Sequence, residues 1–118
     1  MKTAVPLRIA IDLGHMVVRG REGDDLDPYA WLRKVSPKAG VFHLQQSNDK
    51  YDLHAAFTPE MNKTGRIDPK RAIDAIRSSG AEKAVLMFEI MHACEEDEKK
   101  VLADIRLSID QWRAALKE

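Results

Sequence analysis

Three stretches of this sequence join an apolar run to side chains able to hold a cation or move a proton. Ile9-Ala10-Ile11-Asp12-Leu13-Gly14-His15-Met16 ends in an acid and, three residues on, a histidine. Val41-Phe42-His43-Leu44-Gln45-Gln46 carries an imidazole followed by two amides, and the apolar run over 84–92 repeats the acid-x-x-His spacing with Glu89 and His92. Asp12, His43 and Glu89 together offer one nitrogen and two oxygen ligands, a set that suits manganese, magnesium, iron or zinc better than a thiolate-seeking ion. His15 lies one turn beyond Asp12, within reach of a substrate oxygen or a mobile proton. Gln45 and Gln46 could bond sugar hydroxyls or phosphate. Each residue also has a structural reading: a capping acid, a core histidine, amides at the entry to a loop. Their coincidence at matching strand ends favours a site.

Other candidates are weaker. His92 could share a site with Glu89 or cap the last helix. His54 sits in a long polar connection and joins a site only if that connection closes over it. Arg19-Gly20-Arg21-Glu22-Gly23 could hold a phosphate through two guanidinium groups and glycine amides, but Glu22, Asp24 and Asp25 oppose an anion there. Cys94 lies beside acids, which disfavour a thiolate, and reads as inert. Trp31 and Trp112 fit core positions.

The elements that must position these residues follow from apolar periodicity and cap signals. The first strand is expected over 6–16. Asp27-Pro28 then announces a helix, aspartate as N-cap and proline at N1, running to Val35 and ended by Ser36-Pro37 and Gly40. A second strand is expected over 41–46, and then a polar connection over 47–67, long enough for a binding or lid loop. Asp68-Pro69 repeats the helix-start signal, Ala72, Ile73 and Ile76 form an apolar stripe, and Gly80 is a natural stop. A third strand is expected over 83–91. The charge run over 95–99 starts a last helix whose Val101, Leu102, Ile105, Ile109, Trp112 and Leu116 recur at helical spacing and should pack on a sheet. The order βαβαβα with continuous apolar strands implies an α/β fold, its parallel sheet covered on both faces or closed into a barrel. Three such strands leave two unpaired edges, so completion by another copy or another chain is expected.

Composition narrows the classes. A chain of 118 residues is most simply a single domain, 1–118, with a modest core. Nineteen basic residues balance nineteen acidic ones, so nothing in the net charge calls for nucleic acid or an anionic membrane. A lone cysteine forms no intrachain disulfide, no secretory-type apolar segment opens the chain, and no run approaches the length of a membrane span. The expected location is the cytoplasm.

The stretches Ile11-Asp12-Leu13-Gly14-His15, Gly23-Asp24-Asp25-Leu26-Asp27-Pro28-Tyr29-Ala30-Trp31-Leu32, His43-Leu44-Gln45-Gln46-Ser47, Phe57-Thr58-Pro59-Glu60 and Glu89-Ile90 carry a resemblance. They resemble the sugar phosphate isomerase/epimerase family with the xylose-isomerase-like TIM barrel, most closely its tetrulose-phosphate (erythrulose-phosphate) epimerases, with ketose 3-epimerases more distant. The resemblance implies a partial TIM barrel, the C-terminal three βα units of a fold that takes roughly 250 residues. It implies a divalent metal (Mn, Mg, Zn or Co) on Asp12, His43 and Glu89, with Glu89 also the proton-transfer base. It makes His15 a catalytic contact to substrate oxygen, with Gln45 and Gln46 as further substrate-binding candidates. The implied substrate is a small sugar phosphate, isomerised or epimerised by proton transfer α to a carbonyl held by the metal.

The sequence also departs from the family. A further glutamate ligand, which would be the second base, has no counterpart here. The segment Tyr51-Asp52-Leu53-His54-Ala55-Ala56-Phe57 lacks a second histidine and a tryptophan, and Ala93-Cys94 stands where Pro-Phe is expected. The competing readings are a non-catalytic α/β module that binds metal or a partner through its strand edges, and another reaction on the same barrel, such as cyclitol dehydration or metal-dependent phosphodiester hydrolysis.

Overall fold

The computed structural model describes residues 5–17, 23–48 and 50–118. Of the phosphate candidate over 19–23, all but Gly23 lies outside them. Three parallel strands, β1 (Ile9–Asp12), β2 (Ala39–Leu44) and β3 (Val85–Phe88), form one open sheet in the order β1-β2-β3. The helices are α1 (Pro28–Val35), α2 (Pro59–Asn62), α3 (Pro69–Ser78) and α4 (Glu98–Lys117).

The two Asp-Pro signals start helices as expected. Asp27 accepts hydrogen bonds from the Tyr29 and Ala30 amides, and Asp68 accepts one from Arg71, each quieting amides that lack a partner in the first turn. Gly80 stops α3 in the left-handed region, at φ 84°, where glycine carries no Cβ penalty. Thr58-Pro59 has the same design and starts the short α2, with the Thr58 side chain accepting from the Met61 amide. This helix interrupts the connection that the sequence reading left unstructured.

The strands are shorter than their apolar runs. β1 ends at Asp12 because its carboxylate accepts from the amides of Gly14 and His15 and turns the chain into a 3-10 segment, Gly14–Val17. β2 begins two residues early and ends at Leu44, after which Gln46 pairs with Ala55 in an isolated antiparallel bridge. Past β3, the Glu89 amide still donates to the Leu44 carbonyl, so Glu89 stays fastened to the end of β2.

Register decides which side chains share a face. Asp12 pairs with His43 and His43 with Met87, while Ile11, Phe42 and Leu86 align on the opposite side. The Ile11–Phe42–Leu86 face is the core side, packed with Leu32, Ile73, Ile76, Trp112 and Ala115 from α1, α3 and α4. Among the described residues no layer covers the other face: Val85 is 54% and Met87 50% exposed. The sheet is therefore open among the described residues and covered on one face, with the unpaired edges that three parallel strands are expected to leave.

On α4 the buried positions are Ser108, Trp112 and Ala115, with Ile105 and Ile109 half-buried, whereas Leu102 and Leu116 are exposed. The contact face is narrower than the apolar stripe. Phe57, brought in by the long connection, meets Trp112 edge to face at 5.4 Å, and its amide donates to the buried Ser108 hydroxyl.

Candidate metal centre

Asp12 is the last residue of β1, His43 the fifth of β2, and Glu89 follows β3 directly. Parallel strands in register bring these ends together, as ligand sites of α/β folds require. One ligand atom from each of the three lies within 4.8 Å of the others. His43 Nδ1 and Glu89 Oε2 are 3.0 Å apart, close to the roughly 3 Å separating neighbouring ligands on a cation with bonds of about 2.1 Å. All three side chains are accessible from the open face, at 11% (Asp12), 31% (His43) and 43% (Glu89) exposure. Two carboxylates and an imidazole so arranged fit a divalent cation in geometry and charge.

Gln45 and Gln46 stand elsewhere than the substrate reading placed them. Both are buried, and both amides are used internally. Gln45 Nε2 donates to Asp12 Oδ1 at 3.0 Å, while its Oε1 accepts from Ser47 Oγ at 2.9 Å and from the His54 amide at 2.7 Å. A carboxylate only accepts and a peptide N–H only donates, so the amide orientation is determined by its partners. Gln46 Nε2 donates to the Ile67 carbonyl and to Asn62 Oδ1, and its Oε1 accepts from the Ile67 and Ser47 amides. Gly14 and Gly65 make room for these side chains, since a Cβ at either would fall 2.3 or 2.2 Å from the glutamine Cδ. Gln45 is thus a strut under Asp12, and Gln46 ties β2 to the start of α3.

His15 does lie beside Asp12, with Nδ1 3.7 Å from Oδ2, but its Nε2 faces Asp52 Oδ2 at 2.7 Å. His54 proves to be part of the wall: the connection folds back, its ring is mostly covered, and Nδ1 lies 3.3 Å from the Glu89 carbonyl. His54 thus meets the condition set for it, a connection that closes over the site, whereas Asp52 was missed; the signal was an acid-x-His pair in that connection. His92 is not at the centre. It pairs with Asp104 on α4 at 3.0 Å, and Lys100 reaches the same carboxylate at 2.8 Å. The hydrogen bond from Lys100, helped by His92, holds the Asp104 carboxyl below its usual range. Cys94 is exposed and free.

No family model matches the chain. Over 110 residues it is 31% identical to a D-erythrulose 1-phosphate 3-epimerase of Brucella abortus (strain 2308), a match taking in 92% of this chain and 36% of that protein. The crystal structure of a provisionally named xylose isomerase from Rhodospirillum rubrum superposes with a TM-score of 0.74 at 26% identity, covering 95% of this chain and 36% of that one. The chain matches a partial xylose-isomerase-like barrel. It spans about a third of the length of these relatives. The uncovered face and the free edges of β1 and β3 among the described residues are what three strands of a barrel leave open. Among the described residues, no helix of this partial barrel is long and apolar enough to cross a membrane.

Proposed function

We propose that the chain is the C-terminal portion of a divalent-metal-dependent, cytoplasmic sugar-phosphate epimerase or isomerase, one that moves the proton on the carbon α to a carbonyl. The supporting observation is the convergence of Asp12, His43 and Glu89 at the ends of three parallel strands, in a chain similar to a D-erythrulose 1-phosphate 3-epimerase. A divalent cation held there supplies the positive charge that makes such a proton easier to remove. Glu89, reachable from the open face, takes the proton, and its backbone is held by the Leu44 carbonyl. Asp12 is kept in place by Gln45 and two backbone amides. His15 holds a substrate oxygen, its ring steadied by Asp52.

Epimerisation needs a base on each side of the carbon. In this proposal the second base, a further glutamate absent from this chain, comes from a complementary barrel chain. The exposed Val85 and Met87 on the open sheet face also support a second reading, a non-catalytic module that binds a partner.

Asp12→Ala, His43→Ala and Glu89→Ala should each lose bound Mn²⁺ by native mass spectrometry while remaining folded. Unchanged metal in all three would defeat the site. Loss of the α-proton of a ketose phosphate into D₂O with added Mn²⁺ supports the enzyme reading. Stable self-association without any exchange supports the module.

A further inference from the structure

Glu89 is the first residue past β3, and residues 89–97 contain neither helix nor strand, so the sheet alone does not fix where its carboxylate points. Little apolar burial holds this segment: Met91 is 63% exposed, and Ala93 and Cys94 are exposed as well. Polar ties must do so. The Glu89 amide donates to the Leu44 carbonyl at 3.0 Å, and the Met91 amide donates to the His54 carbonyl at 2.8 Å.

His92 supplies a side-chain tie. Its Nε2 lies 3.0 Å from Asp104 Oδ2 on α4, and both side chains are mostly covered, at 14% exposure each. A carboxylate only accepts, so Nε2 carries the proton and donates it. Lys100, one turn earlier on α4, bonds the same oxygen at 2.8 Å and keeps that carboxyl ionised at neutral pH.

The same stretch of α4 holds the other wall of the site. The Ser108 hydroxyl donates to the Asp104 carbonyl at 2.8 Å and accepts from the Phe57 amide at 2.9 Å, and Gln111 Nε2 donates to the Phe57 carbonyl at 2.7 Å. A closed circuit results: α4 to His92, Met91 to His54, Phe57 back to α4. Three residues separate Glu89 from His92 and three separate His54 from Phe57, at most about 10 Å of chain in each case. Neither segment can move far while both ends are tied.

We propose that His92 is a positioning residue for Glu89, hooking the segment that carries it to Asp104 of α4. His92 stands outside the metal centre and acts through the backbone between residues 89 and 92. Without the hook, the Glu89 carboxylate spends less time 3.0 Å from His43 Nδ1. The inference rests on the reading of Glu89 as a metal ligand and proton acceptor, and it adds the residue that keeps Glu89 in place.

The test compares His92→Ala with His92→Gln, whose side-chain amide nitrogen has much the same reach as the imidazole Nε2. Amide hydrogen exchange of the metal-free chain is followed by NMR, and Mn²⁺ affinity by titration. A hydrogen bond to a charged group shifts a local opening equilibrium by about 10–100-fold. Exchange at the Glu89 and Met91 amides should quicken by about that factor in His92→Ala and stay slow in His92→Gln, with the β2 amides unchanged in both. Mn²⁺ affinity should fall by about tenfold in His92→Ala and recover in His92→Gln. If circular dichroism shows His92→Ala unfolded, Asp104→Ala removes the same bond from the other side, and the same quickening and the same fall in affinity are expected. Unchanged exchange at Glu89 and Met91, an equal quickening throughout β2, or no recovery in His92→Gln would overturn the hook. Quickened exchange with unchanged Mn²⁺ affinity, in a chain whose Glu89→Ala variant loses Mn²⁺, would overturn the positioning of a ligand. If Glu89→Ala keeps its Mn²⁺, the metal reading fails instead, and the exchange result alone decides whether His92 positions Glu89.

Discussion

Replacing Gln45 by methionine would separate filling from hydrogen bonding at a buried side chain that links Asp12 to the long connection. Methionine is unbranched and of similar length, so the buried volume stays occupied. Four hydrogen bonds go: the donations to Asp12 Oδ1 at 3.0 Å and Oδ2 at 3.3 Å, and the acceptances from Ser47 and the His54 amide. A bond to a charged partner is worth about 1.5–3 kcal/mol, and an amide left buried without a partner costs about 1–3 kcal/mol. The Ser47 hydroxyl can rotate and adds little. The variant should lose about 3–5 kcal/mol of stability, a large share of the roughly 5–15 kcal/mol typical of a domain. With Asp12 no longer held, Mn²⁺ affinity should fall by about 10–100-fold. Urea denaturation reads the first quantity, and Mn²⁺ titration under folded conditions reads the second. Gly14→Ala should move both the same way, because its Cβ would displace the Gln45 amide. A destabilised Gln45→Met with unchanged metal affinity would refute the strut role, since stability and ligand placement would then be independent.

Two further outcomes test the frame. Tyr29 donates to the Arg66 carbonyl at 3.0 Å and accepts from the Asp68 amide at 2.8 Å, burial pushing its hydroxyl pKa up. Tyr29→Phe should cost about 1–3 kcal/mol in thermal melts, and a change under about 0.5 kcal/mol would mean that neither backbone group depends on it. Asp104 titrates below its ordinary 3.8 in the fold, so its stabilisation is fully present above that value and is lost as pH falls through the lower, folded value. The stability gap between the unmodified chain and Asp104→Asn should therefore be constant near neutrality and shrink below about pH 4; a gap that widens in acid would show the wrong sign.

The local signals were legible where their causes lie within a few residues. Asp27-Pro28 and Asp68-Pro69 start helices because an N-cap carboxylate and a proline at N1 act on the adjacent turn alone. Thr58-Pro59 carried the same signal and was passed over in a stretch read as loop. The apolar runs located the strands and overran their ends, because an apolar residue continues equally well into a turn or a coil. Asp12 stops β1 by bonding its own downstream amides, a competition that hydrophobicity does not report.

The kinds of ligand, the order βαβαβα and the strand-end placement of Asp12, His43 and Glu89 were determined by the sequence alone. Tertiary structure decided what those residues touch. Parallel register set Asp12 beside His43 and left Val85 and Met87 on an uncovered face, and the fold of the long connection buried Gln45 and carried Asp52 and His54 to the site. Burial of an amide depends on residues far away in the chain. A glutamine at a strand end reads the same whether it faces a substrate or, as here, supports the aspartate behind it.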